Sequence, residues 1–248
     1  MRTAALYDIH GNLPALEAVL VDIQRAGVDH IVVGGDVLPG PMPRESLDCL
    51  LALDLPIQFI LGNGDREVLA ERAGTATSGV PERFQDVIAH SAREIHPRHE
   101  RLIAGWPATL RAEIEGIGAV LFCHATPRSD TEVFTRVTPE DRLVPVFEGL
   151  GADVVVCGHT HMQFDRTIGR IRVVNAGSVG MPFGEPGAYW LLLGPGIEMQ
   201  HTLYDFAAAA GRIRASTSPQ AEDFAANNVL RPPSERETLE RFAPVELR

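Results

Sequence analysis

Five short apolar runs in this chain each end in residues that can hold a metal ion or a proton. Thr3–Tyr7 leads into Asp8-Ile9-His10-Gly11-Asn12, and Ile31–Gly34 into Gly35-Asp36. Ile57–Leu61 leads into Gly62-Asn63-Gly64-Asp65, Gly118–Cys123 into His124, and Asp153–Cys157 into Gly158-His159-Thr160-His161. Apolar runs of this length, partly β-branched, are read as buried strands. The carboxyl ends of the strands of an α/β sheet lie along one edge, and ligands bind there. Five polar strand ends can therefore meet although they are scattered over most of the sequence.

The connections fit that reading. Pro14–Ala26 and Arg44–Ala52 have helical spacing; Leu16, Val19, Leu20 and Ile23 share one face, and Pro14 suits a helix start. The order β-α-β-α-β predicts parallel strands. Leu110–Glu115 and Gly118–Cys123 are expected as a hairpin around Gly116, followed by a helix at Pro139–Leu150. Gln163–Ile168, Ile171–Asn175, Ala188–Leu193 and Ile197–Tyr204 are expected as sequential strands, parted by turns at Gly169-Arg170 and Gly194-Pro195-Gly196. The second half is thus more antiparallel than the first. Residues 66–105 are polar and helical, with a loop expected at Gly74–Gly79. Residues 205–248 are expected as a helical C-terminal extension, Ala-rich and then polar. No linker divides the chain, so one domain is expected over 1–248.

Composition narrows the function. With 45% hydrophobic and 22% charged residues the bulk of the chain is globular rather than disordered. A net charge of −11 argues against strong non-specific binding to nucleic acid or an anionic membrane. Cys49, Cys123 and Cys157 are widely spaced and form no CxxC pair, which gives no zinc ribbon or disulfide framework. The first apolar run stops at Asp8, too short for a secretory signal, and no stretch reaches the roughly 18 residues of a membrane span. A cytoplasmic protein is expected; the oligomeric state is not legible.

At the strand ends stand the carboxylates of Asp8 and Asp36, the amide of Asn63, and the imidazoles of His10, His124, His159 and His161. One such residue alone is more often a capped turn or a satisfied buried polar group. The whole set is too large for one tetrahedral site and suits two metals sharing a carboxylate. Imidazole suits Zn, Fe and Ni, and oxygen donors suit Mn. Cys123 and Cys157, beside the histidines, read as core residues.

The ordered motifs DxH, GGD, GNxD, a lone strand-end His and GHTH, with NAGSVG at Asn175–Gly180, resemble the calcineurin-like metallophosphoesterase superfamily, and most closely its compact prokaryotic phosphodiesterase branch. The resemblance implies a four-layer α-β-β-α sandwich of two mixed sheets flanked by helices. It implies two divalent ions, among Mn, Fe, Ni, Co and Zn. Asp8, His10 and His161 would hold the first; Asn63, His124 and His159 the second; Asp36 would bridge. Asp36, Asn63 and His124 would be the catalytic ligands, with a metal-bridging hydroxide as nucleophile. The substrate implied is a small phosphate ester, a diester in preference. Phosphomonoesterase, nucleotidase or protein phosphatase activity at the same site is the alternative, and a non-catalytic scaffold on the same fold is the rival of another class. Residues 66–105 would be cap-like.

This chain departs from the family at Gly64, where many members carry a histidine that binds phosphate and protonates the leaving oxygen. The expectation is room for a bulkier diester, and a gain of monoesterase in Gly64→His. Asn12 is a candidate for phosphate binding at a helix entrance, for capping that helix, or for both. Arg66 is a second candidate substrate contact. One of His90, His96 and His99 could supply the missing acid, although a solvent-facing helix is the plainer reading.

Overall fold

The computed structural model describes residues 1–75 and 80–247. In chain order the elements are β1 (Thr3–Leu6), α1 (Leu13–Arg25), β2 (His30–Val33), α2 (Pro43–Leu51), β3 (Ile57–Phe59), α3 (Asn63–Arg72), α4 (Glu82–Glu94) and α5 (Pro97–Ile103). The hairpin β4 (Thr109–Ile114) and β5 (Gly118–Cys123) follows, then α6 (Glu140–Phe147), β6 (Val154–Cys157), β7 (Phe164–Ile168), β8 (Ile171–Asn175), β9 (Ala188–Leu193) and β10 (Ile197–Thr202). The chain ends in α7 (Phe206–Arg214), α8 (Ala221–Phe224), a π-helical turn (Ala225–Leu230), α9 (Glu235–Phe242) and a 3-10 turn (Ala243–Val245).

The described strands form two mixed five-stranded sheets, in the orders β10-β9-β1-β2-β3 and β4-β5-β6-β8-β7. β1, β2 and β3 are parallel, as are β5, β6 and β8. Strand alternation sorts the core into layers. Ala4 and Leu6 of β1 face the helices, with Leu16, Val19 and Leu47. Ala5 and Tyr7 face the second sheet, against Phe122, Val156 and Val174. The outer face of that sheet buries Leu121, Cys123, Val155 and Cys157 against Leu143 and Phe147 of α6. The result is the α-β-β-α sandwich, with both cysteines in the core.

The four late strands form as expected and divide between the sheets: β7 and β8 complete the second, whereas β9 and β10 return to the first, with β9 antiparallel to β1. The structure departs from the sequence reading in one place. The segment at 66–105 is part of the helical layer on the first sheet rather than a cap. Its Val68, Ile88, Ala92, Ile95 and Ile103 are buried in that layer's core. The loop expected at Gly74–Gly79 lies outside the described residues from 76 onward.

Candidate metal centre

The carboxyl ends of the two groups of parallel strands are tied across the sheets, and Tyr7 is one of the ties. Its ring is buried between the sheets and its hydroxyl donates to the Val156 carbonyl at 3.0 Å. A Cβ at Gly34 would fall inside the Tyr7 ring, which explains a glycine there. Further bonds cross the same seam: His124 Nδ1 to the Gly34 carbonyl at 2.9 Å, and the His159 amide to Asp8 Oδ2 at 2.8 Å.

Five of the seven predicted ligands have left-handed backbones: Asp8 (φ 54°), His10 (47°), Asp36 (52°), His159 (66°) and His161 (57°). Such a backbone costs a non-glycine residue about 1–2 kcal/mol. It persists where the surroundings over-determine it, and functional sites are where that happens. The surroundings here are specific. The Asp8 and His10 amides donate to the carbonyls of Gly35 (3.1 Å) and Asp36 (2.9 Å). The Asp8 carbonyl accepts from the Gly180 amide at 3.0 Å and the Ser178 hydroxyl at 2.7 Å. Asn175 Nδ2 ties the Gly158 carbonyl at 2.7 Å and Thr160 Oγ1 at 3.1 Å. NAGSVG is thus the brace of the ligand loops. Ser178→Ala should reduce metal affinity by about 10–100-fold, as loss of outer partners does, measured by competition with a chelating dye.

The imidazoles are oriented. Carbonyls at Pro39 (3.2 Å), Gly34 (2.9 Å) and Met181 (2.7 Å) accept from Nδ1 of His10, His124 and His161. A carbonyl only accepts, so a proton sits on Nδ1 of each ring, and Nε2, the atom that would ligate a metal, is turned into the site. His10 Nε2 and His161 Nε2 are 3.2 Å apart. Asp8 Oδ1 lies 3.4 Å from His161 Nε2, 3.8 Å from His124 Nε2 and 4.0 Å from His10 Nε2. It is buried and has no hydrogen-bond partner. Asp36 directs Oδ2 at His10 Nε2 (3.7 Å) and Oδ1 at His124 Nε2 (3.6 Å).

Facing lone pairs around an orphaned carboxylate oxygen repel one another, and a shared cation reverses the sign. Donors about 2.0–2.2 Å from one ion stand roughly 3–3.5 Å apart. The donor set therefore fits divalent metal. Two groups of suitable atoms share Asp8: Asp8, His10 and His161, and Asp8, Asp36 and His124. Asn63 lies beside the second group. Its amide reaches His124 Nε2 at 3.1 Å, and with nitrogen turned inward it also donates to His159 Nδ1 and the Asp130 carbonyl, both at 3.0 Å. A cation there would take Oδ1 instead.

Burial, then the neighbouring His161, pushes His10 down to about 3. Burial, then His124, does the same to His159, also to about 3. Both rings stay neutral, as metal ligands must. Burial raises Asp8, but the imidazoles of His161, His124 and His10 outweigh it and hold the carboxyl below the usual range. Asp36 is pushed well up by burial and by Asp8. Burial, with Asp36 beside it, pushes Asp65 to about 8; its carboxylate accepts from the amides of Asp36 (2.8 Å), Leu38 (3.0 Å) and Gly62 (3.2 Å). Asp65 thus shapes the Asp36 loop.

The remaining candidates fall elsewhere. Asn12 is buried with both ends of its amide engaged. Oδ1 caps α1 through the Ala15 amide (3.2 Å), and Nδ2 donates to the Gly180 carbonyl (2.9 Å). The capping role is the one observed, and the side chain is fully buried. Arg66 is half-exposed at the rim and paired with Asp130 (2.7 Å) and Glu67 (2.6 Å). His99 is bonded to Asp48 at 2.9 Å, the His96 ring lies 5.5 Å from it, and His90 is buried in α4. None of the three has a described hydrogen bond to the seven. The space expected above Gly64 is filled: a Cβ there would collide with the Leu38 carbonyl and lie 2.8 Å from Pro39 Cδ. The sequence reading also passed over Phe183, stacked on His161 at 4.9 Å. No local pattern marks that residue.

The family model for the calcineurin-like phosphoesterase superfamily domain matches residues 1–193, and this chain belongs to that superfamily. An uncharacterized protein of Methanocaldococcus jannaschii is 29% identical over 196 residues, 72% of this chain and 76% of that protein. A hypothetical protein from Pyrococcus horikoshii superposes with a TM-score of 0.79 at 19% identity, over 90% of this chain and 97% of that one. A metallophosphoesterase from Sphaerobacter thermophilus does so with a TM-score of 0.70 at 22% identity, over 92% and 99%. Among the described residues no helix is long and apolar enough to cross a membrane.

Proposed function

We propose that this chain is a metal-dependent phosphoric ester hydrolase, favouring diesters, with two divalent ions held by the seven strand-end residues. The observation that carries the reading is the convergence of three Nε2 atoms, each oriented by a carbonyl at Nδ1, on Asp8 Oδ1, which has no hydrogen-bond partner among the described residues. Bound divalent ions would supply Lewis acidity toward a phosphoryl oxygen and a water of lowered pKa. The protein's part is preorganisation. Asp36 offers one oxygen to each side of the site. The Nδ1 bonds fix each imidazole tautomer, and NAGSVG holds the Asp8 loop.

Two features support diesters over monoesters. No histidine occupies position 64 to protonate a leaving oxygen, a contribution typically worth about 10²–10⁴-fold. A cleft of about 510 Å³ adjoins His161 and can take a second organic group, which a monoester lacks. The test is hydrolysis of an aryl phosphodiester and the matching aryl monoester by metal-stripped chain resupplied with single metals. Turnover that needs metal and is faster on the diester is expected. No turnover with Mn, Fe, Ni, Co or Zn would defeat the reading.

A further inference from the structure

The cleft beside His161 is walled by a segment outside the family domain. Its lining includes Phe183, Glu185, Tyr189, Ser234 and Glu235, whereas the family match ends at residue 193. Of residues 231–247, Ser234 and Glu235 line it, and the segment is fastened at both ends. The Gly184 amide donates to the Pro233 carbonyl at 2.9 Å. Arg136 grips Glu235 with two bonds, 3.1 Å and 2.8 Å. At the far end Thr135 Oγ1 donates to Glu246 Oε1 at 3.0 Å, and the Leu247 amide to the Val133 carbonyl at 2.8 Å. Between these points Phe242 meets the Phe183 ring edge-on at 6.2 Å, and Phe183 in turn stacks on His161. The wall therefore reaches a residue of the metal centre through two aromatic rings.

The lining combines aromatic rings with an excess of negative charge. Glu185, Glu235 and Tyr189 all line it, and burial and both carboxylates raise the pKa of the Tyr189 phenol. Arg136, behind Glu235, is already paired with it. The N-terminus of α9 offers an anion little: Ser234 Oγ accepts from the Glu237 amide, and the Glu237 carboxylate accepts from the Ser234 amide at 2.9 Å. Aromatic faces with carboxylates attract flat neutral groups and organic cations, and repel anions.

Building on the phosphoesterase reading, we propose that this cleft receives the organic group of the phosphate ester, and that residues 231–247 make it selective for a flat neutral or cationic group over an anionic one. The first test is calorimetric titration of the 248-residue chain, at low salt, with benzyltrimethylammonium and with benzoate. The ammonium binds and benzoate does not. Glu185→Gln weakens the ammonium about threefold. Arg136→Gln, which frees the Glu235 carboxylate, tightens it about threefold, the size of one charge at ~6 Å in water. The Arg136 pair is exposed and contributes little to folding, so that variant remains testable. Opposite signs distinguish charge selectivity from loosened structure. The second test is hydrolysis by Mn-loaded chain of p-nitrophenyl phosphorylcholine and of the 4-carboxyphenyl ester of p-nitrophenyl phosphate, which share a leaving group. A kcat/KM ratio of about tenfold or more toward the choline ester is expected. Binding of benzoate as tight as the ammonium, shifts of one sign in both variants, or a ratio near one overturns the proposal. The predicted binding pattern without turnover of either ester overturns the phosphoesterase reading and supports the selectivity of the cleft.

Discussion

Asp36→Asn is expected to stabilise the metal-free chain and to abolish the metal-dependent hydrolysis proposed for it. The two effects have one cause. Asp36 is 3% exposed and shares its buried site with Asp8, which is fully buried. Burial and that neighbour push the Asp36 carboxyl well above the ordinary carboxylate range in the folded state. In the unfolded chain it ionises normally, so the folded state binds more protons as pH rises past about 4. The stability tied to this group is therefore present at low pH and lost as pH rises toward the folded-state pKa. Asparagine carries no such charge and keeps an oxygen for the Gly64 amide, bonded at 2.7 Å in the wild type. The melting temperatures of the metal-free variant and wild type coincide near pH 4, and the variant's lead grows toward pH 8. For a chain of this size ~1 kcal/mol is about 2–4 °C. With Mn added the order inverts, because ligand binding to the native state stabilises only the chain that binds it. Turnover falls by roughly 10³-fold or more, since each ~1.4 kcal/mol of lost charge stabilisation is tenfold in rate and a metal supplies several. Calorimetric scans at pH 4, 6 and 8, with and without Mn, check the stability half. A variant less stable than wild type at pH 8 without metal contradicts it.

Gly64→His gains no monoesterase activity. The histidine found here in many relatives requires a Cβ, and this backbone has no space for one. The Leu38 carbonyl fills it, with Pro39 Cδ at 2.8 Å and Asp36 Oδ1 at 3.1 Å. Even Gly64→Ala must displace that loop, an overpacking cost of about 1–3 kcal/mol, or roughly 2–12 °C in melting temperature. The Pro39 carbonyl on the same loop orients His10 through Nδ1. Moving it turns the His10 lone pair out of the site, so Mn affinity falls together with stability. A normal melting temperature and metal affinity in Gly64→Ala would show that the loop yields without cost.

The parallel strands and the positions of the candidate ligands at their ends were legible because each signal is local. A strand buried on both faces is an unbroken apolar run, and its candidate ligand follows within a few residues, as Asp8 follows Tyr7 and His124 follows Cys123. What stayed hidden depends on contacts between distant segments. Nothing near Ala188 says that β9 pairs with β1 rather than β8. Gly64 reads as open space until Leu38 is placed against it. Asn12 satisfies two descriptions in sequence; the Gly180 carbonyl, far along the chain, leaves it one. The wall at 231–247 is held by partners such as Thr135, remote in sequence and without a motif of their own.

The central claim, that these strand ends hold a pair of catalytic metals, is tested most directly by anomalous diffraction at the manganese edge from crystals grown with Mn. Two peaks are predicted, about 3.5–4 Å apart as in two-metal sites. One should lie among Asp8, His10 and His161, the other among Asn63, His124 and His159, with Asp36 in contact with both. A site without peaks at saturating Mn, or a single ion that leaves Asn63 and His159 uncoordinated, would contradict it.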